Sequence, residues 1–301
     1  MNIFPDSEIN KMFARIGEAE MDTSGVRRKF LNCPYGEDKR QTLDIYLPNE
    51  GSGPFPAVFF LHGGGWVSGS RSDKQAAPFM HGLERGYAIV AVGYRLAPAV
   101  RYPDNLYDVK NALRWVSENA ETYLIDRGRF VLAGASAGAH LALMAAFTYG
   151  ISAFEGTSAK PPYTIRAVID QFGPTDFFSS DRQFEESDYP RARPPRPERG
   201  DASDMMFGIR KDDAPNLVRF MNPVDNVHPG VPPVLLLHGR HDPIVPYQQS
   251  VELYERIVAA AGAGSAELDV SEEFLHADPR YAEPDGVERI FSFIEKHIGH
   301  V

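Results

Sequence analysis

The run Arg129-Phe130-Val131-Leu132-Ala133 reads as a short buried strand. It leads into Gly134-Ala135-Ser136-Ala137-Gly138 and then into Ala139-His140-Leu141-Ala142-Leu143-Met144-Ala145-Ala146, which reads as a helix. Strand, tight turn and helix in that order are the context of a nucleophile elbow. A serine on so sharp a turn needs neighbours with little or no side chain. Gly134, Ala135, Ala137 and Gly138 supply them and leave the Ser136 hydroxyl standing at the sheet edge. A packing turn between strand and helix is the plainer alternative.

Outward from this turn, Leu43–Leu47 alternates and reads as an early strand, apolar runs recur at Ala57–Leu61, Ala88–Val92, Ala167–Asp170 and Val234–Leu237, and a final alternating run falls at Ala266–Val270. Helical patterns fall between them at 104–119, 139–149, 246–261 and 286–298. Continuous apolar strands alternating with helices predict an α/β fold with a mostly parallel sheet covered on both faces. Ligands in such folds bind at the carboxyl ends of the strands. The spacing at 8–20 suggests a further amphipathic helix, in an N-terminal segment 1–25 expected to contribute to a cap. Residues 1–301 read as one domain.

Residues 177–222 break the rhythm with charges, prolines and scattered aromatics, and Tyr189–Pro197 suits neither a helix nor an inner strand. Long irregular insertions of this kind are usually lids, binding loops or disordered. We read this one as a cap over the site, drawing on Phe177, Phe178, Phe184, Tyr189, Met205, Met206 or Phe207; a solvated loop is the alternative.

Acyl transfer by a serine needs a base, a group that orients the base, and donors for the oxyanion. His62-Gly63-Gly64-Gly65-Trp66 follows directly on a strand, and its glycines let backbone N–H groups turn inward. Gly64 and Gly65, with Ala137, are the candidate oxyanion donors, and Trp66 a candidate substrate contact. Asp242, just past the strand Val234–Leu237, is the candidate acid; a capping role there and the rivals Asp170 and Asp176 stay open. His276, in the loop before the last helix, is the candidate base. His62 is a rival better suited to fixing its own loop, His238 and His241 would sit on the acid's loop, and a surface role suits most of the remaining histidines, His81, His140, His228, His297 and His300.

The chain has 301 residues, 43% apolar and 24% charged, with a net charge of −10 and a pI of about 5.4. That balance argues against a nucleic-acid partner, which needs a clustered positive surface. Cys33 is the one cysteine, so no internal disulfide forms. No signal-peptide pattern opens the sequence, and no apolar run nears the ~20 residues of a membrane span. A cytoplasmic location is the expectation. The histidines show no metal-ligand spacing, so neither metal nor cofactor is expected. The sequence does not specify an oligomeric state.

Assembled, these residues resemble the α/β-hydrolase superfamily, and within it the hormone-sensitive-lipase-like esterases and carbohydrate acetyl and feruloyl esterases. The matching pieces are Gln41–Pro48, His62–Trp66, Tyr94-Arg95-Leu96-Ala97-Pro98, Gly134–Gly138, Phe172–Asp176 and Gly239–Pro243. The resemblance implies a Ser136–Asp242–His276 triad with the Gly64, Gly65 and Ala137 amides as oxyanion hole. It implies a serine carboxylic ester hydrolase for small-molecule esters with short acyl groups, with acetyl or feruloyl esters of carbohydrates as one possibility. Phe177 and Phe178 are candidate substrate contacts. An arylformamidase of kynurenine metabolism, a small peptidase and a non-catalytic relative are the alternatives. Ala99 and the loop Phe274-Leu275-His276-Ala277 depart from the pattern, as does the cap.

Overall fold

A computed structural model describes residues 20–157, 160–187, 189, 191 and 202–299. Its strands are β1 (Lys29–Pro34), β2 (Thr42–Tyr46), β3 (Phe55–Leu61), β4 (Ala88–Val92), β5 (Ile125–Ala135), β6 (Ile165–Gln171), β7 (Val234–Gly239) and β8 (Ala266–Ser271). The helices are α1 (Ala77–Met80), α2 (Asp104–Glu118), α3 (Ala137–Phe147), α4 (Ser152–Glu155), α5 (Ser180–Glu185), α6 (Ala202–Phe207), α7 (Pro215–Arg219), α8 (Gln248–Ala261) and α9 (Pro284–Ile298).

The strands form one sheet in the order β1-β2-β4-β3-β5-β6-β7-β8. From β4 to β8 all neighbours are parallel, and β2 runs antiparallel to both β1 and β4. Every residue of β3 is buried, as a strand covered on both faces must be. Its side chains alternate between two cores. Phe59 and Leu61 face a layer with Leu106, Leu113, Leu141 and Leu253, drawn from α2, α3 and α8. Val58 and Phe60 face the opposite layer with Phe79, Ile290 and Phe291, from α1 and α9. Each such side chain taken from water contributes about 1.5–3 kcal/mol.

The helix α3 is buried in all its residues, so it is apolar around its whole circumference. It begins one residue after Ser136, two residues earlier than the sequence pattern suggested, and α8 begins two residues later. The helix expected at 8–20 lies outside the described residues except for Glu20, which bridges to Asp73. In the expected cap, α5, α6 and α7 are three short helices, while 192–201 lie outside the described residues. No described helix is long and apolar enough to cross a membrane.

Candidate active site

The site sits where β3, β5, β7 and β8 end. Ser136 follows β5 with φ of 54° and ψ of −120°, a strained geometry for a residue with a Cβ. The turn is held because its neighbours touch backbone. A Cβ on Gly138 would lie 2.1 Å from Leu61 O, and one on Gly134 2.4 Å from the carbonyl of Gly138. The Ser136 amide donates to Gln171 O at 2.8 Å, fixing the turn to β6.

Three side chains from three loops meet here. His276 Nδ1 lies 2.7 Å from Asp242 Oδ2, and His276 Nε2 lies 3.0 Å from Ser136 Oγ. Nδ1 faces a carboxylate, an acceptor, so it carries the ring hydrogen; Nε2 is then free to accept from the serine hydroxyl. The other oxygen, Asp242 Oδ1, accepts the amides of Ile244 and Val245 at 2.8 and 2.9 Å. Burial pushes the Asp242 carboxyl up, but His276 and His238 outweigh it and hold the acid well below the usual carboxylate range. The ring of His276 rests edge-on against Phe172, 4.7 Å between centroids.

Gly64 and Gly65 turn with φ of 115° and 60°, which glycine adopts without strain. Among the described residues, the amides of Gly64, Gly65 and Ala137 donate to no acceptor. The loop that carries them is braced from behind. Gly63 donates to Gln75 Oε1, the Tyr94 hydroxyl donates to His62 O at 2.7 Å, and the Tyr94 ring stacks on His62. Arg95 grips the buried Asp108 with two nitrogens. This gives the Tyr94-Arg95 pair a physical role that sequence reasoning left blank.

The rival groups fall elsewhere. His62 Nδ1 donates to Gly63 O at 2.7 Å, and burial lowers the ring to about 4. His241 stacks on Tyr189. His238 lies on β7, not on the acid's loop, and its Nε2 is 3.3 Å from Asp242 Oδ2. Asp170 is inside β6 and its carboxyl is raised to about 7 by burial. Asp176 accepts from Asn222 Nδ2 and the Phe178 amide.

Beside Ser136 lies an aromatic group of Trp66, Tyr102, His140, Phe177 and Phe207, with ring centroids 5.0–6.5 Å apart. His140 is an exception to the surface role expected for most of the remaining histidines: it is fully buried, donates from Nε2 to Met221 O, and is lowered to about 4 by burial. Its position four residues after Ser136, on the same side of α3, was the signal in the sequence. Tyr102 carried no such signal. Phe178 lies under Arg219, with the guanidinium 5.1 Å from its ring. Met206 is buried, whereas Met205 is exposed. Among the described residues no group of histidines, cysteines and carboxylates is placed to hold a metal ion.

Comparison with known proteins agrees with this architecture. Esterase LipC of Mycobacterium tuberculosis is 30% identical over 241 residues, 78% of this chain and 56% of that protein. Kynurenine formamidase of Salmo salar is 36% identical over 141 residues, 46% of each chain. The chain spans about half the length of the curated relatives it matches first. A solved truncated carbohydrate esterase from gut microbiota superposes with a TM-score of 0.79 at 24% identity, over 93% of this chain and 99% of that one. The BD-FAE family matches residues 43–257, from the start of β2 through most of α8. The chain therefore has the α/β-hydrolase fold and belongs to the BD-FAE family.

Proposed function

We propose that this protein is a serine carboxylic ester hydrolase acting on small esters with short acyl groups, through an acyl-enzyme. One observation carries the reading: His276 bridges Asp242 and Ser136 at 2.7 and 3.0 Å, beside amides with no acceptor. Ser136 Oγ attacks the ester carbonyl as its proton passes to His276 Nε2. Asp242 stabilises the imidazolium and remains ionised. The oxyanion takes hydrogen bonds from Gly64, Gly65 and Ala137, each such donor typically being worth about 2.7–4 kcal/mol. His276 then protonates the departing alcohol, and water activated by the same nitrogen releases the acid. Trp66 and Phe177 form a wall of the acyl or alcohol pocket, and 177–222 act as its cap. The likeness to a carbohydrate esterase structure makes acetyl or feruloyl esters of carbohydrates the substrates to try first.

The experiment is stopped-flow hydrolysis of p-nitrophenyl acetate by wild type and Ser136→Ala. A burst of p-nitrophenol equal to the enzyme concentration, absent from the variant, is expected. No burst and no turnover by wild type on acetyl esters would end the reading. The similarity to kynurenine formamidase favours a second reading, amide hydrolysis. A preference for N-formylkynurenine over acetyl esters by several orders of magnitude would select it.

A further inference from the structure

We propose that His238 is a positioning residue for Asp242: it confines the carboxylate that orients His276 and draws on its negative charge. The proposal deepens the hydrolase reading and rests on it. Two histidines converge on one oxygen, with His276 Nδ1 at 2.7 Å and His238 Nε2 at 3.3 Å from Asp242 Oδ2. His238 Nε2 also lies 3.0 Å from Val245 O. Both atoms facing Nε2 are acceptors, so this nitrogen carries a hydrogen: it donates to Val245 O, and the same positive edge of the ring faces Asp242 Oδ2 at 3.3 Å. On the far side of the ring, Nδ1 lies 2.7 Å from Ser250 Oγ on α8.

The result is a closed circuit. The Val245 amide donates to Asp242 Oδ1, the Val245 carbonyl accepts from His238, and His238 returns to Asp242 Oδ2. Two amides hold Oδ1 and His276 holds Oδ2; His238 adds a wall against Oδ2 that is tied to strand β7 and helix α8. His238 and Ser250 are each fully buried, so water does not substitute for either partner. The ionisable groups around the ring are Asp170 on β6, Asp242 and His276 on their loops, and Tyr281 beyond them, whose phenol burial and these carboxylates push up.

Removing the His238 donor leaves Oδ2 both less confined and more strongly negative. Looser confinement lowers kcat, while the stronger negative charge favours the imidazolium of His276 and moves the acid limb of the pH–rate profile to higher pH. The test compares wild type, His238→Gln, His238→Leu and Ser250→Ala. Each is followed by kcat and KM for p-nitrophenyl acetate across pH, and by the low-field proton resonance of His276 Nδ1–H. Partners that orient a ligating histidine or carboxylate in metal sites are typically worth about 10–100-fold in activity, and His238 stands in the same relation to Asp242. His238→Leu is therefore expected to lose about 10–100-fold in kcat at unchanged KM, with the acid limb raised and the resonance shifted. His238→Gln, which keeps an N–H toward Oδ2, should restore most of both. Ser250→Ala should move both readouts in the same direction as His238→Leu, by less. Wild-type kcat, acid limb and resonance in His238→Leu would overturn the proposal. So would equal damage in the Gln and Leu variants seen only as a lower melting temperature. If wild type cleaves no ester, the hydrolase reading falls, and the resonance in His238→Leu still decides the role of His238.

Discussion

Gly138→Ala is the smallest change that reaches the site through packing alone. The added Cβ would stand 2.1 Å from Leu61 O and 2.5 Å from His62 O, both backbone atoms of β3 and its following loop. Ordinary carbon–oxygen contacts begin at about 3.3 Å. The first turn of α3 must therefore retreat from β3 by roughly 1 Å, or the oxyanion loop must move by as much. Either motion separates Ser136 and the Ala137 amide from Gly64 and Gly65. A misplacement of about 1 Å typically costs 10²-fold in rate, and overpacking of this kind costs about 1–3 kcal/mol or more in stability. The assay is kcat for p-nitrophenyl acetate, normalised to the fraction of enzyme that a fluorophosphonate titrates, with denaturant unfolding beside it. A fall of about 100-fold per titratable site is expected. Wild-type kcat per site at wild-type stability would refute the argument that this contact sets the spacing between nucleophile and oxyanion donors.

The buried histidines predict acid sensitivity. His62 and His140 fall to about 4 from an ordinary 6.5, so their contribution is complete above pH 6.5 and is lost as pH drops through 4. At roughly 1.4 kcal/mol per unit this is about 3 kcal/mol each, and His140→Gln should flatten the decline in melting temperature between pH 6.5 and 4. A decline as steep as wild type would contradict the assignment. Asp170 works the other way. Its carboxyl is raised from 3.8 to about 7, so its contribution is present below pH 3.8 and is lost as pH rises through 7. Asp170→Asn should therefore stabilise the protein more at pH 8 than at pH 5, as differential scanning calorimetry would show; equal effects at both would disprove it. Lys110, 2% exposed, pairs with the equally buried Glu155 at 2.7 Å and donates to Thr148 O. Lys110→Ala should cost about 3 kcal/mol by leaving that buried carboxylate with only the Gly150 amide and the more distant Arg114, 3.8 Å away, measured by urea unfolding; a loss under 1 kcal/mol would show that the pair is dispensable.

Much of the fold was legible because its central strands have no choice of surroundings. Ala57–Leu61, Ala88–Val92 and Val234–Leu237 are apolar without interruption, and such runs are stable only where both faces are covered. The strand β1 was missed for the complementary reason. Lys29–Pro34 is an edge strand, exposed at all but Cys33, with a register shift between Phe30 and Cys33. It shows neither alternation nor a run. The helices α5, α6 and α7 have five or six residues each, too few for a period of 3.6 to emerge. In the site, Ser136, Asp242 and His276 could be picked out because each follows a strand. Tyr102 could not, because what gives it its place is Phe207, far away in sequence. His140 showed its spacing from Ser136 but not its anchor Met221 O, 81 residues on, and His238 did not show its partner Ser250, which lies on a separate helix, α8.

The central claim is that the Ser136 hydroxyl is activated by His276 and Asp242. Intact-mass and peptide analysis after a fluorophosphonate is added at neutral pH tests it most directly. One phosphonyl group per chain on Ser136 is expected, formed at least a hundredfold more slowly in His276→Ala and Asp242→Asn. No adduct, an adduct on another residue, or equal labelling rates in these variants would contradict it.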